Sequence, residues 1–289
     1  MGTENSKHAP PPSPAPLFDR PWRTIEWGTG KTANLLYLKT YKPQAEGRQL
    51  RILLHGPAGA GKSSFINSVS SALKGRICTL ALVDNTSHDS FTTTYLTYNI
   101  QKDKPGTFYP FVFNDIRGLD PQRGVLVDDI ELALMGHVKE GYMFNPGCKL
   151  SEGNEFYNKS PTDNDKVHVL VCVVPANKLS SMNDKTVWEI RDVRLKASRL
   201  GIPQVAILTN VDQACSETKK DLKNVYRSRY IKEKMEQFSA NVGIPMNCIF
   251  PVKNYHEEIK LNDDTDALIL SVLRHIINYG DDFINWKAE

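Results

Sequence analysis

The sequence predicts an α/β fold in which helices cover both faces of a mostly parallel central sheet. Strand-like and helix-like stretches alternate from residue 49 onward, which is the pattern of parallel strands joined by crossover helices. The run 167–174 is apolar and rich in β-branched residues, as expected of a strand buried on both faces. A glycine-rich loop separates the first predicted strand of this region from its first helix.

Hydrophobic periodicity locates the individual elements. We expect strands at 49–55, 77–83, 94–100, 108–114, 167–174, 204–208 and 248–252. We expect helices at 34–41, 62–74, 126–138, 181–200, 217–238 and 264–278. Gly201 follows the fourth of these helices and is a typical C-terminal stop.

Composition divides the chain into a leader, a packing segment and a main domain. Residues 1–16 contain five prolines and almost no large apolar side chains, which predicts a disordered, extended leader. Residues 17–48 contain several large apolar side chains and are expected to pack on the main domain, 49–289: Phe18, Trp22, Ile25 and Trp27. Within that domain, residues 136–166 are polar and aperiodic. They predict an irregular insertion, and they are our best candidate for a partner surface.

Charge and hydropathy restrict the environment of the protein. The 289 residues carry a net charge of +3, which gives no reason to expect a nucleic-acid partner. No apolar run approaches the roughly 20 residues of a membrane span, and no secretory signal is recognisable. The five scattered cysteines indicate free thiols in a reducing compartment, the cytoplasm. Residues 1–6 fit the N-myristoylation pattern, so we expect membrane attachment only if Gly2 is acylated, and then weakly.

The strongest motif lies at residues 56–63, which have the sequence Gly-Pro-Ala-Gly-Ala-Gly-Lys-Ser and fit the pattern GxxxxGK[ST]. Glycines allow backbone N–H groups to approach phosphate oxygens, and the following helix N-terminus adds positive potential. Lys62 would reach the β- and γ-phosphates, and Ser63 would offer its hydroxyl to Mg²⁺. The candidate phosphate-binding residues are Gly56, Pro57, Ala58, Gly59, Ala60, Gly61, Lys62, Ser63 and Ser64.

A second motif follows the predicted strand 108–114. Asp115 and Gly118 have the spacing of the DxxG box of GTPases, in which the aspartate holds Mg²⁺ through water and the glycine N–H contacts the γ-phosphate. A switch threonine would complete the metal set. Thr92, Thr93 and Thr94 are equal candidates for this role. We assign it to Thr93, which would bind the metal with Ser63 and Asp115. The same threonines are equally typical of the start of a strand.

The residue after Gly118 is Leu119, where Ras-like enzymes have the glutamine that orients the attacking water. We therefore expect slow intrinsic hydrolysis and assign no catalytic residue. A partner or one of three side chains could supply the missing group: His88, Arg117 or Arg123.

Base recognition is predicted after the strand 204–208. Residues 209–212, Thr-Asn-Val-Asp, resemble the [NT]KxD box of GTPases. Asp212 would accept hydrogen bonds from guanine N1 and the exocyclic amine, which adenine cannot match. Asn210 stands where lysine is usual, which predicts weaker binding, and a plain turn after a strand is the alternative. Val252 and Lys253 lie where GTPases place a further base contact.

The same residues carry a family resemblance. Residues 18–27, 52–69 and 93–95 look like the GTP-binding domain of the interferon-induced protein 44 and 44-like family, over about 17–285 of this chain. The resemblance implies a cytoplasmic, interferon-inducible protein of antiviral defence that restrains proliferation and binds guanine nucleotide. Members often carry an N-terminal TLDc-type domain, which we do not find here, so the chain is expected to be either a shorter member or a truncated piece of a longer one.

Motifs and element order together predict a P-loop GTPase-like three-layer fold with a Mg²⁺-dependent guanine-nucleotide site. The expected function is a GTP/GDP switch or slow GTPase that acts on an unidentified protein partner or as a homodimer. Two alternatives stay open: an ATP-using P-loop enzyme, which would be indifferent to Asp212, and a binding scaffold with a vestigial site.

Overall fold

A computed structural model describes residues 16–44, 47–82, 93–120 and 122–288. The predicted leader lies outside the described residues except for Pro16, and so does Gly2. His88 and Thr92, which the sequence nominated for hydrolysis and for metal binding, also lie outside them.

One six-stranded sheet forms the centre of the described protein, with the strand order β2-β3-β1-β4-β5-β6. Strand β2 is antiparallel to β3, and the other neighbours are parallel. The strands are β1 (Leu50–His55), β2 (Leu96–Gln101), β3 (Phe108–Asp115), β4 (Val169–Pro175), β5 (Gln204–Thr209) and β6 (Ile249–Pro251). Every residue of β4 is buried, in agreement with its continuous apolar sequence.

Helices cover both faces of this sheet. Helix α8 contacts α1, α2, β1 and β4, whereas α4 contacts α3, α7 and β5. The helices are α1 (Thr29–Thr40), α2 (Lys62–Lys74), α3 (Val127–Leu134), α4 (Asp184–Arg199), α5 (Val211–Ala214), α6 (Ser216–Lys220), α7 (Arg229–Val242) and α8 (Asp263–Ala288). The prediction of a three-layer α/β fold is confirmed. Among the described residues, no helix is both long enough and apolar enough to cross a membrane.

The predicted strand at 77–83 is wrong for its described residues, 77–82, which form no strand. The side chain of Asn67 on α2 accepts hydrogen bonds from the backbone N–H of Leu80 and Ala81, both at 2.7 Å. It also donates to the carbonyl oxygen of Ala81 at 2.8 Å. The segment therefore satisfies its backbone against a helix instead of a neighbouring strand.

The predicted single helix at 217–238 is also wrong. The chain forms α6, a 3₁₀ turn at Leu222–Tyr226 and then α7. The side chain of Asp221 caps the turn, and that of Ser228 caps α7. The break lies where the N-terminal segment crosses: Phe18 N–H donates to the Arg227 carbonyl, and Trp22 N–H donates to that of Tyr226. A continuous helix would need those carbonyl oxygens for its own hydrogen bonds.

Two further regions differ in extent from their prediction. Helix α8 continues to Ala288, ten residues past the predicted end at 278, because Phe283 and Ile284 also bury their side chains. The insertion 136–166 is irregular, as predicted, but it contributes buried side chains to the core: Val138, Tyr142, Phe144 and Leu150.

Within the described segment 16–44, the side chain of Arg23 connects the N-terminal part to the main domain. Its guanidinium donates to the carbonyl oxygens of Ile249, at 2.6 Å, and Met246, at 2.5 Å. The same group lies 5.0 Å from the ring centre of Trp22 and 5.5 Å from that of Phe250. This arrangement combines charge-assisted hydrogen bonds with cation–π contacts, each worth about 0.5–3 kcal/mol.

Candidate nucleotide-binding site

The glycine-rich loop connects the end of β1 to the start of α2, at the carboxyl edge of the parallel strands. Gly56 has a φ of +137°, and a Cβ atom there would overlap the carbonyl oxygen of Val173 on β4. Only glycine fits this position. No side chain caps the N-terminus of α2, so its first N–H groups are available to an anion.

The loop containing Asp115 and Gly118 packs directly on this phosphate loop. Leu119 N–H donates to the carbonyl of Gly56 at 2.9 Å, and its carbonyl accepts from Ala58 N–H at 3.2 Å. A Cβ atom on Gly118 would lie 2.5 Å from both the nitrogen and the Cα of Ala58. Glycine is therefore required at 118 for the two loops to approach each other.

The ammonium group of Lys62 lies inside the loop. Its Nζ donates to the carbonyl oxygens of Gly56, at 3.2 Å, and Pro57, at 3.1 Å, and the residue is 7% exposed. Burial lowers the pKa of Lys62, while the negative charge of Asp115 opposes this effect. The carbonyl oxygens of Gly56 and Pro57 and the nearby carboxylate of Asp115 therefore hold the ammonium group within the phosphate loop.

The groups around Lys62 are otherwise uncharged. Burial, and secondarily the charge of Lys62, lower the pKa of His55 to about 3, so this histidine is neutral at physiological pH. Burial also raises the pKa of the Cys172 thiol, although Lys62 opposes it, so the thiol keeps its proton. A phosphate oxygen would be attracted to this ammonium group.

Ser63 and Asp115 form the candidate metal site. The Ser63 hydroxyl donates to Oδ2 of Asp115 at 2.6 Å, and the carboxylate is fully buried. A hydroxyl and a carboxylate are hard oxygen donors, and Mg²⁺ in nucleotide sites takes one or two such protein ligands together with phosphate oxygens and water. The donor set therefore fits Mg²⁺.

Thr93 is not brought into contact with this pair. Its carbonyl accepts from Phe144 N–H at 3.0 Å, and its neighbour Thr94 forms a bridge with Met143 of the insertion. Leu96, three residues further on, is the residue opposite Asp115, so about 10 Å of extended chain separates Thr93 from the metal site. The metal role of Thr93 stays a prediction.

Two side chains that the sequence analysis left unassigned hold the phosphate loop from the far side. The Thr209 hydroxyl, fully buried, donates to the carbonyl of Ala60 at 2.7 Å. The Asn254 side-chain amide donates to the carbonyl of Gly61 at 3.1 Å. Thr209 is the first residue of the motif 209–212, which resembles the [NT]KxD box. Its place in this motif is the one sequence signal that pointed to it.

The base-side residues lie next to these supports. Asn210 adopts the left-handed conformation, with φ 56° and ψ 35°, and begins the short helix α5. Asp212, half-buried on the first turn of α5, makes no hydrogen bond or ion pair with any described residue. A carboxylate without a protein partner beside the phosphate loop can accept N–H donors from a base.

Val252 and Lys253, which the sequence nominated for a further base contact, directly follow β6. Val252 is fully buried, and its N–H donates to the carbonyl of Leu208. The ammonium of Lys253 donates to Glu258 at 2.6 Å. Although burial raises the pKa of Glu258, hydrogen bonds from the His256 N–H and from Lys253 lower it to about 2. The charge of Lys253 is therefore committed to Glu258, which leaves its aliphatic stem for apolar contact.

Leu119 lies at the position where Ras-like enzymes have the glutamine that orients the attacking water. Its side chain is 2% exposed and packs in the core, and a leucine has no group that can orient water. Arg117 is half-buried and Arg123 exposed, and neither is assigned a catalytic role.

Fold and site together define a protein of the P-loop α/β class with GTPase-like architecture. A solved structure with the same fold is that of a dimerisation-deficient variant of Toc33 from Arabidopsis thaliana. It matches with a TM-score of 0.50 and 12% identity, covering 89% of this chain and 94% of that one.

Curated relatives identify the family. Interferon-induced protein 44 from Homo sapiens is 36% identical over 249 residues, 86% of this chain and 56% of that protein. Its Mus musculus counterpart is 34% identical over 87% of this chain and 60% of that protein. Interferon-induced protein 44-like from Homo sapiens is 34% identical over 86% of this chain and 55% of that protein. No family model matches the chain.

The chain belongs to the family of interferon-induced protein 44 and its 44-like relative, which confirms the resemblance found in the sequence. It spans a little over half the length of the curated relatives that it matches.

Proposed function

We propose that this protein binds GTP and GDP together with Mg²⁺ and acts as a slow GTPase whose nucleotide state controls a protein partner. The observation that carries the proposal is the arrangement of three side chains at the phosphate loop. Lys62 is held by the loop's own carbonyl oxygens, and Ser63 is bonded to Asp115. The charged groups are thus positioned before a ligand arrives, which lowers the cost of binding.

Within this proposal, Ser63 would ligate Mg²⁺ and Asp115 would hold it through water. Bound Mg²⁺ would neutralise charge on the β- and γ-phosphates. The remaining contributions come from the chain itself: backbone N–H groups of the loop and of α2 would bind phosphate oxygens, and Lys62 would pair with the β- and γ-phosphates.

Guanine selectivity would come from Asp212. A carboxylate can accept both N1–H and the exocyclic amine of guanine, whereas adenine offers no such pair of donors in the same place. Thr209 and Asn254 would act indirectly, because they hold the carbonyl oxygens of Ala60 and Gly61 and so fix the loop relative to the base.

Hydrolysis would be slow without help from outside the site, because Leu119 provides no polar group for the attacking water. A protein partner or a second copy of the chain would then supply the missing group. The insertion 136–166 is the proposed partner surface, since its backbone bonds to Thr93 and Tyr95, in the segment of the candidate switch threonines.

Family membership suggests the biological setting. We infer an interferon-induced protein that works in the cytoplasm as part of an antiviral response. Immunoblotting of cytosolic and membrane fractions before and after interferon treatment tests this inference, and a constant protein level would contradict it.

Calorimetric titration with GTP, GDP and ATP, each with Mg²⁺ and with a chelator, tests the nucleotide assignment. We expect binding of guanine nucleotide that weakens without Mg²⁺ and is lost in Lys62→Ala, whereas Lys74→Ala at the other end of α2 behaves as the native chain. Asp212→Ala should lower the preference for GDP over ADP at least about tenfold, about 1.4 kcal/mol, and the matched exposed variant Asp192→Ala should not.

Three results would decide against parts of the proposal. Equal affinity for ATP and GTP, indifferent to Asp212→Ala, would favour an ATP-using enzyme. Absence of any nucleotide binding would favour a scaffold. Turnover of GTP at a rate typical of catalytic enzymes, about 1 per second or faster, would contradict the consequence drawn from Leu119.

A further inference from the structure

A cavity at the opposite edge of the sheet is not used by the proposed nucleotide site. It has a volume of about 380 Å³, within the range of about 300–1,000 Å³ typical of small-molecule sites. Arg48, Val167 and Ile202 line it, and they precede β1, β4 and β5 respectively. We name it the amino-edge cavity. The six residues of β1 separate it from the phosphate loop by about 20 Å.

The inner wall of the amino-edge cavity is apolar. It is formed by apolar residues that are 1–7% exposed: Leu134, Val167, Ile202, Phe283 and Ile284. These residues come from four separate parts of the chain, so the wall exists only in the folded protein. An apolar group entering the cavity would be removed from water at about 25 cal/mol per Å² of buried surface.

The mouth of the cavity carries an excess of positive charge. Arg48 and Lys166 share a single carboxylate, that of Asp163, at 2.7 Å and 3.0 Å. Lys287, at the end of α8, lies with its ammonium 4.5 Å from the ring centre of Phe283. The lining therefore contains three cationic side chains and one carboxylate: Arg48, Lys166, Lys287 and Asp163.

Asp163 does not gain a proton that would change this balance. Hydrogen bonds from Lys166 and Arg48 lower the pKa of Asp163 to about 2. Burial, with help from Arg51 and Arg48, lowers the pKa of His168 to about 4, so this histidine of the lining adds no charge at neutral pH. The other histidine of the lining, His137, is hydrogen-bonded through Nδ1 to the Asn158 carbonyl at 2.8 Å.

We propose that the amino-edge cavity binds a small amphipathic anion, with its apolar body against Val167 and Phe283 and its carboxylate or phosphate beside Lys287 and Arg48. The combination of apolar side chains with an excess of cationic ones selects this class. A neutral alcohol would leave the net positive charge of these side chains without a further anion, and a cationic amphiphile would be repelled. Such a ligand could be a free acid or the headgroup and chain end of an anionic lipid.

Calorimetric titration of the full chain with decanoate, decyl phosphate and decanol tests the chemistry. We expect both anions to bind at least about tenfold more tightly than the alcohol, because they meet an uncompensated positive charge at short range. Lys287→Glu should weaken decanoate about tenfold, and the matched exposed variant Lys260→Glu should leave it unchanged. Equal binding of decanol and decanoate, no binding of either anion, or indifference to Lys287→Glu would overturn the proposal.

Three further experiments locate the ligand and its source. In methyl-labelled protein, decanoate should shift the signals of Ile202 and Ile284 but not that of Ile116, next to the phosphate loop; the reverse pattern would refute the location. Leu200→Trp, which fills the mouth from the half-buried end of α4, should abolish binding while circular dichroism shows an intact fold.

Sedimentation with phosphatidylglycerol vesicles, lost in Lys287→Glu, would indicate a lipid source; retention of decanoate binding without vesicle binding would indicate a free acid.

Discussion

Replacement of Thr209 by valine removes the hydroxyl of this residue while it keeps the shape of the side chain. The Thr209 side chain is fully buried, and its hydroxyl donates to the Ala60 carbonyl at 2.7 Å and lies 3.3 Å from that of Val174. Thr209→Val keeps the volume but leaves the carbonyl of Ala60, itself 1% exposed, without this donor. An unsatisfied buried acceptor costs about 1–3 kcal/mol, partly offset by the gain from burying a methyl group in place of a hydroxyl.

We therefore expect the free energy of unfolding to fall by about 1–2 kcal/mol, measured by urea denaturation monitored by fluorescence. At about 2–4 °C per kcal/mol, the thermal midpoint should fall by roughly 2–8 °C. GDP affinity should also decrease, because the Ala60 peptide forms part of the phosphate loop. Thr209→Ser is the matched control, since it retains the donor and loses only a methyl group. A valine variant as stable as the native chain, or a serine variant that loses more stability than valine, would refute the reasoning.

Two other predictions concern stability. Asn67→Ala should lower the free energy of unfolding by about 2–4 kcal/mol, because it leaves the N–H groups of Leu80 and Ala81 and the carbonyl of Ala81 without their partner. Urea denaturation beside the exposed control Asn177→Ala checks this prediction, and equal losses would contradict it. Stability should also fall on acidification, because the pKa values of His55 and His168 are lowered in the folded state, to about 3 and about 4. The unfolded chain takes up these protons first as pH falls below about 6.5, so unfolding at pH 5.5 should cost about 2–3 kcal/mol less than at pH 7.5. A His55→Asn, His168→Asn double variant should lose most of this slope, and an unchanged slope would refute the assignment.

Local patterns predicted the elements whose structure depends on their own residues. The phosphate loop is one example, because the tight approach of Gly56 to Val173 and the uncapped start of α2 both follow from the glycine-rich sequence. Strand β4 is another, since a continuous apolar run of β-branched residues can bury both of its faces. Asp115 was found because it ends an apolar strand at a spacing known from the DxxG box.

Where the sequence prediction failed, a distant part of the chain decided the outcome. The apolar run 77–82 satisfies its backbone on Asn67 instead of joining the sheet. The charged run 217–238 breaks because Phe18 and Trp22, about 200 residues earlier in the chain, bond to carbonyl oxygens at its centre. Neither partner can be read from the periodicity of the segment itself.

The sequence by itself determined the α/β class, the family and the place of the glycine-rich loop between a strand and a helix, because these depend on short-range periodicity and on residue types at fixed spacing. Only the tertiary structure decided how the loop is held and where a second cavity lies. The bond from Thr209 to Ala60 spans 149 positions and that from Asn254 to Gly61 spans 193. The wall of the amino-edge cavity likewise joins side chains from four parts of the chain. Such contacts are set by the packing of strands and helices against one another, and no local spacing encodes them.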